Sequence, residues 1–305
     1  MMLFCVCVPA RNEADRIGTL IEALGRQSIG QPVRLALSVN NSADATVARA
    51  WDAVHATQGR VLLSLEEISF AEAYAHAGSA RRAAMALGCD VLDGDDGYLI
   101  STDADCRPPE DWIAANLAVA GHDRIIGGRI ELDEEDAECG PGLLALRRRF
   151  DLYWHHVRTI EDQIDPSEWD VAPRHGDHTG ASLMLSIALY RRAGGVPPIP
   201  CGEDRALVDA AVAAGGRLVH PQSVWTRTSP RAVGRAEGGM AADMARWGQA
   251  CDKATVPLVP AFQHWRDRAE WRRTLRLSGK EDVALAERAL PPMPCDMPLP
   301  EWNPA

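Results

Sequence analysis

Asp103-Ala104-Asp105 sets two carboxylates two positions apart, directly after the apolar run Tyr98–Thr102. At a strand end such a pair can approach one divalent cation. Mg²⁺ and Mn²⁺ prefer oxygen ligands and often share them with substrate phosphates. A cation held there would neutralise a diphosphate as it leaves. The same two acids also suit a solvated polar turn, and the motif alone does not separate these readings. A second acidic pair, Glu203-Asp204, follows Gly202 at the start of a helical pattern, where carboxylates interact favourably with the helix dipole. Arg227, Arg231 and Arg235 are interleaved with Thr228, Ser229 and Gly234. Arginines suit bidentate contact with phosphate.

These residues need elements to position them. Leu3–Val8 is a continuous apolar run, as expected of a strand buried on both faces, and Pro9 is expected to end it. Cys5 and Cys7 share one face of that strand. Asn12 can cap a helix whose stripe is Ile17, Leu20, Ile21 and Leu24. Strands at Val33–Val39, Val61–Leu65 and Tyr98–Thr102 alternate with helical stripes at Val47–Val54 and Ala71–Leu87. This alternation implies a mainly parallel central sheet flanked by helices. In such sheets ligands bind beyond the carboxyl ends of the strands, and Pro9–Glu13, Asn40–Asp44 and Asp103–Asp105 fall there. The second half is more mixed. Arg124–Leu132 and Ser182–Ser186 read as strands, 140–178 as two aromatic-rich helical pieces and a His-rich loop, Glu203–Ala214 as a helix, and Arg217–Thr226 as extended. Pro291 to Ala305 is Pro-rich and reads as an irregular tail draped on the surface.

The composition is that of a globular protein: 305 residues, 46% hydrophobic, 25% charged. No apolar stretch is long enough to span a bilayer, and Met1–Val8 lacks the basic leader and cleavage site of a signal peptide. The eight cysteines have no metal-type spacing, so reduced thiols in a cytoplasm are expected. The net charge of −11 disfavours nucleic acid as a partner. It also requires local positive charge, from arginines or a metal, wherever a polyanion binds. No Gly-x-Gly-x-x-Gly follows the first strand, which disfavours a dinucleotide-dependent oxidoreductase.

Several short motifs occur in a fixed order: Val8-Pro9-Ala10-Arg11-Asn12-Glu13, Asn40-Asn41-Ser42-Ala43-Asp44-Ala45-Thr46, Asp103-Ala104-Asp105, Gly180-Ala181-Ser182-Leu183-Met184, Tyr190-Arg191-Arg192-Ala193-Gly194-Gly195-Val196 and Gly202-Glu203-Asp204. Over roughly residues 3–235 the chain resembles the family 2 glycosyltransferases, which have the GT-A fold. The resemblance implies an α/β GT-A domain over 1–235. Residues 1–105 would be its nucleotide-binding half and 106–235 a mixed acceptor half, with 236–305 a C-terminal helical extension and Pro-rich tail. It implies a metal-dependent transfer, with Mg²⁺ or Mn²⁺, from a nucleotide diphosphate sugar to a hydroxyl acceptor, with inversion by the family's precedent. UDP-sugar is favoured and GDP-sugar is the alternative. The acceptor could be a glycan, a lipid-linked sugar or a small molecule. The expected location is cytoplasmic, with membrane contact at most peripheral at the inner face.

Residue by residue, the resemblance implies that Pro9, Ala10, Arg11 and Glu13 line the nucleotide pocket. Where relatives carry Asp-Asp-Gly-Ser, this chain has Asn40, Asn41, Ser42 and Ala43, followed by Asp44. An amide both donates and accepts, where a carboxylate only accepts, so base contact stays open but the choice of base changes. Asp44 and Thr46 also suit a helix cap. Arg81 matches the arginine of an Ala-Arg-Asn segment near the donor, and Arg82 stands where the asparagine would be. Asp103 and Asp105 are implied as metal ligands, Asp105 the more direct and Asp103 nearer the ribose or a metal-bound water, with Ala104 among the donor-binding residues. Asp204 is implied as general base, with Glu203 orienting it or binding acceptor. His220 is implied as a further metal ligand, against a buried, hydrogen-bonded histidine as the plainer reading. The basic segment with Arg227, Arg231 and Arg235 matches a cover over the diphosphate. His155, His156, His175, Asp177 and His178 do not match a structural zinc site and read as acceptor-pocket or loop residues. Met240, Met244 and Trp247 form a helical stripe, for core packing or for a membrane surface. A sugar-phosphate nucleotidyltransferase would carry a Gly-rich first loop followed by Arg and Lys, which Pro9–Glu13 lacks. A degenerate, non-catalytic relative is the remaining alternative, kept open by Asn40 and Asn41.

Overall fold

The computed structural model describes residues 2–94, 96–136, 138–231, 240–253, 255–279 and 283–301. In chain order the elements are β1 (Phe4–Ala10), α1 (Ile17–Gly25), β2 (Val33–Asn40), α2 (Thr46–Ala56), β3 (Val61–Ile68), α3 (Ala77–Leu92), β4 (Tyr98–Ser101), β5 (Cys106–Arg107), α4 (Trp112–Ala118), β6 (Arg124–Gly127), β7 (Arg129–Leu132), α5 (Pro141–Ile164), β8 (Leu183–Ser186), α6 (Ile187–Arg192), α7 (Glu203–Ala213), β9 (Arg217–Val219), β10 (Trp225–Thr228), α8 (Met240–Asp252), β11 (Leu258–Val259), α9 (Phe262–Leu277), α10 (Val283–Arg288) and β12 (Met297–Pro298). A short 3₁₀ turn, Glu72–Tyr74, precedes α3.

The first compact unit comprises 1–139 and 177–243. Its main sheet has the order β3-β2-β1-β4-β8-β6-β9. β1 pairs in parallel with β2 and β4, and β2 with β3, while β8 runs antiparallel between β4 and β6. The expected mainly parallel sheet flanked by helices is therefore present. β1 shows why an unbroken apolar run is needed at its centre. Phe4, Val6 and Val8 enter one core with Leu20, Leu24 and Leu37, while Cys5 and Cys7 enter the other with Met85 and Leu99. Pro9 does not end β1. The strand continues to Ala10, and Pro9 and Ala10 stand opposite Ser38 and Val39. A smaller sheet, β5-β10-β7, lies within the same unit.

Three local expectations are corrected. Arg124–Leu132 is two strands, not one: β6 joins the large sheet and β7 the small one. The break is at Gly128, where a Cβ would come within 2.1 Å of Ser182 Oγ. Asn12 does not cap α1, whose cap position is Arg16. Asn12 instead adopts a left-handed backbone (φ 53°) and accepts from Ala43 N. The stretch 140–178 holds one 24-residue helix, α5, in place of two helical pieces.

The second compact unit joins 140–176 to 244–305. Its physical basis is a separate core. Leu146, Tyr153 and Val157 of α5 cluster with Val259 and Leu299, and Phe262 and Trp265 pack against them. Trp247 stacks on Phe150 at 4.6 Å between centroids, and Met244 is buried, so this part of the α8 stripe is core. The Pro-rich tail is not wholly irregular: β12 pairs with β11, and Leu299 is 1% exposed. No described helix is long and apolar enough to cross a membrane.

Candidate active site

β1, β2 and β4 end side by side, and the turns that leave them carry the polar residues. The turn after β1 is tied to the turn after β2. Asn12 N donates to Ser42 Oγ, Ala14 N to Asp44 Oδ2 at 3.0 Å, and Glu13 N to Thr46 Oγ1 at 2.8 Å. Asp44 Oδ1 in turn accepts from Thr46 N. Asp44 therefore performs the capping work at the start of α2, and Thr46 receives Glu13. Burial raises the Asp44 carboxyl, but the Thr46 hydroxyl and the Ala14 and Thr46 amides outweigh it and leave it below its usual range. Asn41, also left-handed (φ 47°), donates to Phe70 O and accepts from Phe70 N. Its side chain fixes the chain after β3. Asn40 is buried beside it. Arg11 donates to Ala75 O, just after the Glu72–Tyr74 turn. Ala10 and Ala104 point into the core, which leaves backbone atoms as their means of touching a ligand.

Two arginine-centred clusters dominate the electrostatics. Arg81, on the second turn of α3, is 6% exposed. It donates to Asp103 Oδ1 at 2.9 Å, Glu203 Oε1 at 3.0 Å, Ser101 Oγ at 2.8 Å and Gly180 O at 3.1 Å. Gly180 is required by this approach, since a Cβ there would sit 2.1 Å from the guanidinium carbon. Burial works against the Arg81 charge, but Asp103, Glu203 and Asp204 more than offset it and hold the guanidinium protonated. Neighbouring Arg82 donates to Val196 O and Gly194 O, pinning the turn after α6.

In the second cluster Arg231 reaches Asp105 Oδ2 at 2.9 Å and grips Glu13 with both terminal nitrogens, at 3.0 and 3.1 Å. Burial pushes the Asp105 carboxyl up to about 7; Arg231 opposes this, while Asp103 and Glu13 add to it. Asp103, Asp105 and Cys106 bring ligand atoms within 4.8 Å of one another. Burial drives the Cys106 thiol far above its usual range, so it stays protonated and is a poor partner for a hard cation. The two carboxylates have the donor chemistry that Mg²⁺ or Mn²⁺ prefers.

Gly202, at φ 75°, turns the chain into α7. Adjacent acids then diverge. Glu203 is buried and committed to Arg81, whereas Asp204 is partly exposed. Asp204 accepts from Gly180 N at 2.8 Å through Oδ2 and from Arg205 N through Oδ1. Since Gly180 O accepts from Arg81, one glycine connects Asp204 to the first cluster.

The structure does not bring His220 into the Asp103–Asp105 group. His220 Nε2 lies 3.2 Å from His178 Nδ1. Asp177 accepts from Ile130 N. His155 and His156 are on α5, where His156 packs on Phe262, and His175 is buried in the second unit. Arg227 stacks on the Trp225 ring at 4.6 Å, and Gly234 and Arg235 lie outside the described residues. Sequence reasoning named Glu13, Asp105 and Arg231 separately and missed their contact. It also missed Ser101, which sits inside an apolar strand with no distinguishing pattern.

Residues 5–167 match the family described as Glycosyl transferase family 2. No curated protein matches the chain significantly. Among solved structures, the chain is similar to a mannosyltransferase, PcManGT from Pyrobaculum calidifontis, in complex with GDP-Man and Mn²⁺. That match has 16% identity and a TM-score of 0.50, covering 93% of this chain and 77% of that one. It is also similar to S. aureus TarS (residues 1–349) in complex with UDP-GlcNAc, with 14% identity, a TM-score of 0.49, and 93% and 76% coverage.

Proposed function

The chain belongs to glycosyl transferase family 2, and from that premise we propose that it transfers a sugar from a nucleotide diphosphate donor to a hydroxyl acceptor with inversion. The observation that carries this reading is the convergence of Asp103, Asp105, Glu203 and Asp204 with two arginines beyond the ends of β1 and β4. That is where an open α/β sheet takes its ligands.

Asp105, with Asp103 beside it, would hold Mg²⁺ or Mn²⁺, which when bound supplies positive charge to the departing diphosphate. The remaining work falls to the protein's own groups. Asp204 is the general base. It takes the proton as the acceptor oxygen bonds to the anomeric carbon and the bond from that carbon to the diphosphate breaks. The nucleoside diphosphate leaves with the electron pair. A carboxylate suffices, because the hydroxyl becomes acidic only as the new bond forms. Glu203, already committed to Arg81, is a positioning residue. Arg81 holds Asp103, Glu203 and the Gly180 carbonyl in one frame, which fixes the metal ligand relative to the base. Pro9, Ala10, Arg11, Asn40 and Ala104 border the nucleotide, the two alanines through backbone. UDP-sugar is the favoured donor and GDP-sugar the alternative.

A thermal-shift screen of UDP, GDP and their sugars, with and without Mn²⁺, tests this. Melting should rise with one nucleotide class only when Mn²⁺ is present, and Asp105→Ala should remove that rise. If no nucleotide moves the transition in the presence of metal, the proposal fails.

A further inference from the structure

We infer that Arg231 is an internal counter-ion that occupies the divalent-cation position in the metal-free protein and is exchanged onto the donor's diphosphate when the ion binds. This rests on the metal reading above and goes beyond it, because it assigns one side chain two alternating partners.

Glu13 is 5% exposed and the Asp105 side chain 9% exposed, so both carboxylates are largely out of water. Buried charges of one sign need a partner. The Arg231 guanidinium supplies it. One terminal nitrogen is shared by Asp105 Oδ2 and Glu13 Oε1, and the other bonds Glu13 Oε2. It is thus a bridge between two acids, the job a cation would do there. Asp105 Oδ2 cannot serve the guanidinium and a dication equally well, since two cations on one carboxylate repel each other.

The two clusters differ in how firmly they hold their arginine. Arg81 has partners on four residues, and all three of its guanidinium nitrogens are engaged. Arg231 has two acids, sits just past the end of β10, and its side chain is more exposed, at 18% against 7%. A released Arg231 then presents the same planar donor pair to phosphate oxygens, for which a guanidinium is well shaped.

The test is calorimetry of Mn²⁺ alone with donor-free wild type, Arg231→Gln and Arg231→Lys. Melting curves taken in parallel with and without Mn²⁺ confirm that each variant is folded. Arg231→Gln should bind Mn²⁺ on the order of tenfold tighter than wild type, a typical coupling between linked sites. Arg231→Lys, a point charge that cannot grip both acids at once, should fall between. With saturating Mn²⁺, UDP or GDP should bind Arg231→Gln on the order of tenfold more weakly. Unchanged or weaker Mn²⁺ binding in Arg231→Gln overturns the exchange while leaving the metal site intact. Absence of Mn²⁺ binding in wild type and Arg231→Gln alike overturns the metal reading and the exchange together.

Discussion

Arg81 and Arg231 each close on a pair of acids beside the same strand ends, yet one belongs to the frame and the other to the moving parts. Arg81 comes from the second turn of α3, a helix whose start is fixed by His76 accepting from Ser79 N. Its guanidinium is buried and ties α3, β4, the Gly180 turn and α7 together. Arg231 follows the last residues of β10, next to Ser229, whose hydroxyl donates to Asp136. The same pairing chemistry is permanent where the charge has no route to water and exchangeable where it has one.

The comparison breaks first at stability. Arg81→Met leaves Asp103 and Glu203 without their partner, and removing one member of a buried pair costs about 3–5 kcal/mol. That is a large share of an ordinary domain's stability. Arg231→Gln should cost less than that, because its side chain is the more exposed of the two, at 18% against 7%, although Glu13 and Asp105 are left without their partner. Urea denaturation of the two variants measures both. Equal losses would remove the distinction between frame and moving part.

Next in size is the contrast between neighbouring acids. Asp204→Asn should lower transfer by about 10²–10⁴-fold with donor affinity unchanged, the range expected for loss of a general base. Glu203→Gln should instead lower the melting temperature, since it removes one of the two carboxylates paired with Arg81. Turnover and calorimetry on the two variants check the assignment, and a reversed pattern would move the base to Glu203.

A smaller effect follows from the raised Asp105. An acid whose folded pKa lies above its unfolded value contributes stability that is fully present below the unfolded pKa. That contribution is lost as pH rises through the folded one. For Asp105 the window runs from about 4 to about 7. The metal-free protein should therefore lose melting temperature across it. A divalent ion needs the deprotonated carboxylate, so Mn²⁺ affinity should rise by up to about tenfold per pH unit toward 7 and level off above it. A pH-independent affinity between 5 and 7 would show that Asp105 is not the group displaced from its proton.

Much of this was legible along the chain, for identifiable reasons. β1 is apolar at every position from Phe4 to Val8 because both of its faces are buried, and alternation of Cys5 and Cys7 with Val6 reports the two cores directly. Asp103-Ala104-Asp105 stood out because polar residues stop an apolar strand. What was not legible is non-local. Arg231 and Glu13 are 218 residues apart, and nothing near either predicts the other. The tail read as irregular because its prolines suppress local structure, yet Met297 pairs with Val259 and Leu299 fills a core. Segment 140–176 joined the C-terminal region because the partners of Tyr153 and Val157 lie a hundred residues on.

The smallest effect decides the role of the turn after β2. The family resemblance gives Asp44 a place at the nucleobase, whereas its two carboxylate oxygens here accept from Ala14, Thr46 N and Thr46 Oγ1. A residue that holds a helix start and staples it to the preceding turn has the energetics of a cap. Asp44→Ala should therefore cost about 1 kcal/mol, and Asp44→Asn less, because an amide oxygen still accepts from one of these donors. Donor affinity should change only modestly in both, since Glu13 keeps its bond to Thr46 Oγ1. A loss of donor binding beyond tenfold with unchanged melting would reverse this and return Asp44 to the nucleotide. Asn41 offers the matching control. Its amide is occupied by Phe70 N and O, so Asn41→Ala should loosen the chain after β3 and act on stability before it acts on the choice of base.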